Sequence, residues 1–228
     1  FWFGTNQYGK DIFTLLGSGA RLSFILAISI SAINLTIGAI YGAIEGYYGG
    51  VADLIMERCA EILSGVPFIV VATLFNLHLQ EKVGPLVSLL FAFVLTGWLG
   101  MARFIRNQIV IIRDRDYNLA SRCLGTGTGR IIIKNLLPYL VSVITLRMAL
   151  AIPGAIGSEV FITYIGLGLP VDTPSLGNLI NEGRKLVTSA SLRYQLIFPV
   201  IVLSIVTISF YIIGNAFADA ADPKNHVK

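Results

Sequence analysis

Long apolar runs alternate with short polar stretches along this chain, and their lengths set the first expectation of its architecture. Residues 22–44, 62–80, 83–102 and 194–218 carry no charge at all, and a fifth apolar run, 136–160, carries two charges. Each is close to the roughly 20 residues that cross a bilayer core of about 30 Å as a helix. The pattern predicts an all-α, polytopic membrane helical bundle with five spanning helices, at about 22–45, 62–80, 83–103, 136–160 and 194–218, in one transmembrane domain over 1–228. Gly49-Gly50 ends the first run. Gly65 and Pro67 break the second, because a proline removes a backbone donor and clashes with the preceding turn. Gly38, Gly42 and Gly46 recur every fourth residue and predict a face on which another helix of the bundle packs closely.

Composition supports the same class. The chain is 55% hydrophobic and 13% charged, with a mean hydropathy of +0.76, outside the range of soluble domains. Its net charge of +4 is not the footprint of nucleic-acid binding, because the cations lie between apolar runs and not on a polar face with stacking aromatics. Arg103, Arg106, Arg113, Arg115, Arg122, Arg130 and Lys134 gather around one polar stretch, which marks it as cytoplasmic. The expected topology is then an outer loop at 1–21, a cytoplasmic loop at 104–135, an outer loop at 161–193 and a cytoplasmic C-terminus. Cys59 and Cys123 fall near the reducing side and are expected to be free thiols. The opening residues lack the basic n-region and apolar core of a signal peptide, and the odd number of spans leads us to expect a sixth, N-terminal helix outside this sequence.

The polar stretch from Asp116 to Pro138 reads as a short helix ending at Gly125 and a second helix leading into Leu136-Leu137-Pro138. Its spacing resembles the EAA loop of ABC-transporter permeases, with Ala120 at a small position, Leu119 where the family opens with glutamate and Ser121 in place of the second alanine. Four further segments resemble the dipeptide and oligopeptide importers of that family, in the same order. They are the opening Gly4-Thr5-Asn6-Gln7-Tyr8-Gly9-Lys10-Asp11, then Glu159 with Gly166-Leu167-Gly168, then Pro174-Ser175-Leu176-Gly177 with Glu182 and Arg184, and the ending Asp219-Ala-Ala-Asp222-Pro223-Lys224.

The resemblance implies a binding-protein-dependent permease subunit that moves peptides by alternating access. The implied partners are a second homologous permease, two ABC ATPase subunits, an extracytoplasmic substrate-binding protein and membrane lipid. Coupling to the ATPases would fall to Ala120, Ser121, Arg122, Gly125, Gly127, Gly129, Arg130, Leu137 and Pro138.

The chain shows no catalytic chemistry of its own. It has no GxSxG or HExxH motif, and its two histidines, His78 and His226, lie far apart in the topology. Gly125-Thr-Gly-Thr-Gly129-Arg130 lacks the Gly-Lys-Ser/Thr of a phosphate loop, and its third glycine comes one residue early for a dinucleotide site. No cofactor is expected in the chain, with ATP and Mg on partner subunits and no metal site. Arg147 and Glu159, charges within the fourth run, are the candidate substrate-path residues, since an intramembrane charge needs a water-filled cavity or a partner. Asp53, Glu57 and Glu61 share one helix face and read as an interfacial lead-in, with proton relay as their second reading. The alternative for the whole chain is an ATP-independent secondary transporter or channel working through Arg147 and Glu159.

Overall fold

The computed structural model describes residues 1–221, the side chains of 137–139, 141–143 and 218–221 excepted. The side chains expected to carry the ending at 219–224, and His226, therefore lie outside the described residues. Among those residues the chain is all-α. Its helices are α1 Ile12–Tyr48, α2 Gly50–Ser64, α3 Phe68–Val83, α4 Pro85–Gly97, α5 Leu99–Arg113, α6 Asp116–Cys123, α7 Thr128–Ile131, α8 Leu137–Tyr164, α9 Leu176–Lys185 and α10 Tyr194–Ala221, with a π-helical turn Ile132–Leu136 between α7 and α8. Four described stretches are long and apolar enough to cross a membrane: Ile12–Tyr48, Pro85–Arg113, Ile144–Tyr164 and Tyr194–Phe217. α2 and α3, separated by the break at Gly65 to Pro67, pass the same test only when taken together.

Several boundaries differ from the expectation. α1 starts well before residue 22, because Asp11 caps it: its carboxylate accepts from the Phe13 N–H at 3.4 Å, the Thr14 N–H at 3.2 Å and the Thr14 hydroxyl at 2.8 Å. The Thr14 hydroxyl, more than the backbone bonds, draws the Asp11 carboxyl below its usual range. The outer loop expected at 1–21 is thus shortened to the residues before Ile12. The run expected at 62–80 straddles the bend, since Pro67 separates α2 from α3. α5 continues to Arg113 because Ala102, Ile105, Ile109 and Ile112 form a buried stripe at helical spacing, so the loop expected at 104–135 begins at Asp114. Within the segment expected as the loop 161–193, α8 runs on to Tyr164 and α9 forms behind Ser175, whose hydroxyl accepts from Asn178 N–H at 3.1 Å.

The chain divides into two compact units. The first comprises 1–31, 68–93 and 149–213. One of its cores joins Leu26 and Ile30 of α1, Val71 of α3, Leu89 and Phe93 of α4, and Ile162 of α8. Another joins Ile12 and Leu16 of α1, Ile156 and Val160 of α8, and Leu176 and Ile180 of α9, with Leu203 and Val206 of α10 against it. The second unit comprises 32–67, 94–148 and 214–228, of which the last seven residues lie outside the description. Its core is Ala43 of α1, Ile105, Ile109 and Ile112 of α5, Ile131 of α7, Leu136 of the π turn and Leu140 of α8. Here the glycine stripe of α1 lies directly on the α5 backbone: a Cβ at Gly38, Gly42 or Gly46 would come within 2.7, 2.2 or 2.8 Å of its nearest neighbour there. The stripe serves packing within the chain, as its spacing predicts.

Candidate functional site

The polar island of the second unit is built on the end of α5. Arg115, in extended conformation, precedes α6, which carries Asp116 in its first turn and Arg122 in its last, both favourable to the helix dipole. Asn118 is the buried key of this turn. Its Nδ2 donates to the Ile112 carbonyl of α5 at 2.9 Å, and its Oδ1 accepts from Asn135 Nδ2 at 3.1 Å. Asn135 also donates to the Ser121 hydroxyl at 3.3 Å, so two amide side chains tie α5, α6 and the π turn together. Asn118→Ala would leave the enclosed Ile112 carbonyl without its side-chain donor. We expect it to cost about 1–3 kcal/mol of stability, read as a lower unfolding midpoint of the purified protein.

The chain then reverses at Gly125, whose φ of +77° is open to glycine and costly for other residues. Gly125 N–H donates to the Arg122 carbonyl and Thr126 N–H to the Ser121 carbonyl, closing α6. Gly127 then begins α7, with Gly129 and Arg130 exposed on it and Ile131 buried in the core. Two arginines fasten the island to the end of α1. Arg113 Nη1 donates to the Gly46 carbonyl at 2.8 Å, and the Arg122 guanidinium lies 4.9 Å over the Tyr47 ring. Asp114 accompanies both, 3.0 Å from Arg113 Nε and 3.8 Å from Arg122 Nη1. Tyr117, Leu119, Ala120 and Leu124 are exposed on the island among the charged residues Arg115, Asp116, Arg130 and Lys134, with Leu124 85% exposed.

Of the coupling residues expected from sequence, Ala120, Ser121, Arg122, Gly125, Gly127, Gly129 and Arg130 all lie in this one island. The side chains of Leu137 and Pro138 lie outside the described residues, while their backbone opens α8. Asn118, Asn135 and Tyr47 are added by the structure. The only sequence signal for Asn118 is a polar residue at helical spacing from Ser121 and Arg122, which does not distinguish a buried amide from a solvated one.

The two candidate path residues fall in different compact units. Arg147 is exposed on α8 and stacks 4.3 Å over the Phe104 ring; among the described residues no carboxylate lies within ion-pair distance of it. Glu159 departs from its expected place on a path. It is only 1% exposed and accepts from the Ser23 hydroxyl at 2.8 Å and the Thr163 hydroxyl at 3.1 Å. The bond to Ser23 makes it a tie between α8 and α1. Glu159→Ala strands two hydroxyls and should lower stability by about 1–3 kcal/mol, with Glu159→Gln retaining most of it, both read by thermal unfolding.

At the polar end of the first unit, Tyr8 and Lys10 of the opening loop and Asp172, Thr173, Asn178 and Glu182 line a cavity of about 400 Å³. Its walls are held by two asparagines. Asn6 Oδ1 accepts from Tyr8 and Lys10 N–H at 3.0 and 2.9 Å, and Asn178 Nδ2 donates to the Pro170 and Thr173 carbonyls at 2.7 and 2.8 Å.

Residues 34–227 match the model of a family described as the binding-protein-dependent transport system inner membrane component. The chain is 39% identical to the dipeptide transport system permease protein DppC of Bacillus subtilis (strain 168), over 98% of the chain and 68% of that protein. It is 36% identical to the oligopeptide transport system permease protein OppC of the same organism, over 98% of the chain and 72% of that protein. With the oligopeptide transport system permease protein AmiD of Streptococcus pneumoniae (strain ATCC BAA-255 / R6) the identity is 39%, over 99% and 71%. Among solved structures, an inward-facing conformation of the MetNI methionine ABC transporter superposes with a TM-score of 0.72 at 17% identity, covering 92% of this chain and 97% of that one. An amino acid ABC transporter gives a TM-score of 0.67 at 15% identity, covering 91% and 94%.

Proposed function

Because the chain belongs to the family of binding-protein-dependent transport system inner membrane components, we propose that it is the permease subunit through which an ATP-driven importer moves peptides. The peptide cargo follows from the relatives it matches over nearly its whole length, the dipeptide and oligopeptide permeases. A second homologous permease completes the pathway in the lipid bilayer, and two ABC ATPase subunits supply the ATP and Mg chemistry. The C-terminus lies on the cytoplasmic side, with the island. The outer segments around Asp172 and Glu182 face a substrate-binding protein.

One observation carries the coupling role: the island is keyed to α5 through Asn118 and to α1 through Arg113 and Arg122, while Tyr117, Leu119 and Leu124 stand exposed on it. A push on Tyr117, Leu119 and Leu124 is thereby delivered to the ends of two long helices instead of being absorbed by a loose loop. Such rigid-body input suits alternating access. The burial of Glu159 and its bonds to two hydroxyls speak against the alternative in which it relays ions with Arg147.

The test is uptake of a labelled dipeptide into proteoliposomes holding both permeases, with binding protein outside and ATPase subunits and ATP inside. Uptake should require all of them. Uptake that persists without the ATPase would overturn the reading.

A further inference from the structure

We propose that the cavity between the opening loop and α9 binds a short peptide by its two charged ends, the ammonium at Asp172 and Glu182 and the carboxylate at Lys10. The proposal rests on the reading of the chain as a peptide permease and adds to it a place where cargo meets this chain directly. All the residues concerned belong to the first compact unit.

The cavity is shaped by bonds that need no ligand. The opening loop, closed by Asn6, is seated on the start of α1 by the bridge between Thr5 and Asp11 and by Ile12 N–H, which donates to the Gly4 carbonyl at 3.1 Å. From α10, the Tyr194 hydroxyl donates to the Thr5 carbonyl at 2.7 Å. Opposite, the Ser175 cap and the buried Asn178 hold α9 to the 170–173 stretch. Leu15, Val171, Pro174 and Leu179 supply apolar lining. At about 400 Å³ the volume is that of a small-ligand site, for which about 300–1,000 Å³ is usual.

The charges carry the choice of ligand. Lys10, Asp172 and Glu182 line the cavity, and among the described residues none of their side chains has a hydrogen-bond or ion-pair partner. A hollow of about 100 Å³ adjoins it, sharing Asn6, Tyr8, Val171 and Glu182 and adding Lys185 and Gln195. In the second unit acids and bases close on each other, Asp53 with Arg106 and Glu57 with Arg103. Here two acids and two lysines share one concave wall and stay apart, which leaves each for a charge brought from outside. A free peptide brings one of each sign, and Tyr8, Thr173 and Gln195 offer hydrogen bonds to the amide between them. The cavity takes one or two residues. A docked protein instead covers a broad surface, about 800 Å² on each side.

The test is binding of radiolabelled dialanine to the assembled, purified transporter in nanodiscs, without binding protein or ATP. Dialanine should bind, and dialanine acetylated at one end and amidated at the other should not. Glu182→Gln and Lys10→Gln should each weaken binding about fivefold, as for an exposed ion pair, and together about twenty-fivefold. Asp172→Asn replaces Glu182→Gln should that variant fail to assemble. Absence of dialanine binding, equal binding of the blocked peptide, or affinities unchanged in the variants would each refute the proposal. Loss of binding-protein docking in the variants, with no dialanine bound to wild type, would refute it and assign the cavity to that protein. Binding is read here without ATP, so its failure leaves ATP-dependent uptake standing as a separate result, and failure of uptake leaves this binding standing.

Discussion

Gly42→Leu is expected to prevent the second unit from folding. The α1 glycine stripe meets the α5 main chain, and an added Cβ at position 42 would sit 2.2 Å from the Ala102 carbonyl oxygen, an atom that cannot swing aside as a side chain end could. Gly38 and Gly46 are nearly as tight, with the Trp98 and Arg106 carbonyls each 2.8 Å from their added Cβ, so α1 cannot retreat without opening the whole contact. Overpacking of this kind costs about 1–3 kcal/mol for small insertions and more for larger ones. Gly42→Ala should therefore lower the thermal midpoint of the purified protein, and Gly42→Leu should yield no folded protein. Gly100→Ala is the control, because an added Cβ there meets nothing within 4 Å. Freed of any clash, it should raise stability by up to about 1 kcal/mol, the helix-propensity gain of alanine over glycine. Opposite signs for the same chemical change on touching helices would isolate the contact.

The second large effect concerns the outward side of the island. Leu119 and Leu124 are 42% and 85% exposed, so Leu119→Glu with Leu124→Glu should leave the unfolding midpoint where it is. Each leucine that anchors a partner would contribute about 2 kcal/mol on truncation. Losing one anchor then weakens docking by about thirtyfold, and losing both should abolish ATP-dependent uptake. Uptake assays alongside co-purification of the ATPase subunits separate lost docking from lost folding. Leu119 is informative because an acidic residue there restores the charge with which the family's loop usually opens. The single variant Leu119→Glu is thus the milder change, and the loss should fall mainly on Leu124.

These residues also mark how far the sequence could be read. The spanning runs follow from length and lack of charge, and a glycine at every fourth position identifies the close helix contact before any partner helix is known. The turn at Gly125 is equally legible, because a positive φ has few other solutions. Boundaries were less so. α5 continues past Arg103 and Arg106 because those arginines find Glu57 and Asp53 on α2, a pairing across roughly fifty positions that no local pattern reveals. Asp11 starts α1 early by a cap that competes with the loop chemistry of its neighbours. Glu159 and Arg147 look alike in sequence, each a charge in an apolar run. One is buried and bonded to hydroxyls from α1 and α8, and the other lies exposed on an aromatic ring. The difference is made by tertiary neighbours, as it is for Asn118.

If the island between α5 and α8 receives the movement of an ATPase, disulfide crosslinking in the assembled transporter will detect the contact. Cys59 and Cys123, both exposed, are first replaced by serine, and single cysteines are then placed at Ala120 or Thr126 opposite cysteines on the ATPase surface. Crosslinks are expected from both positions, with a yield that changes when ATP is bound. An assembled, transporting complex in which neither position crosslinks to the ATPase would rule out the island as the receiving element.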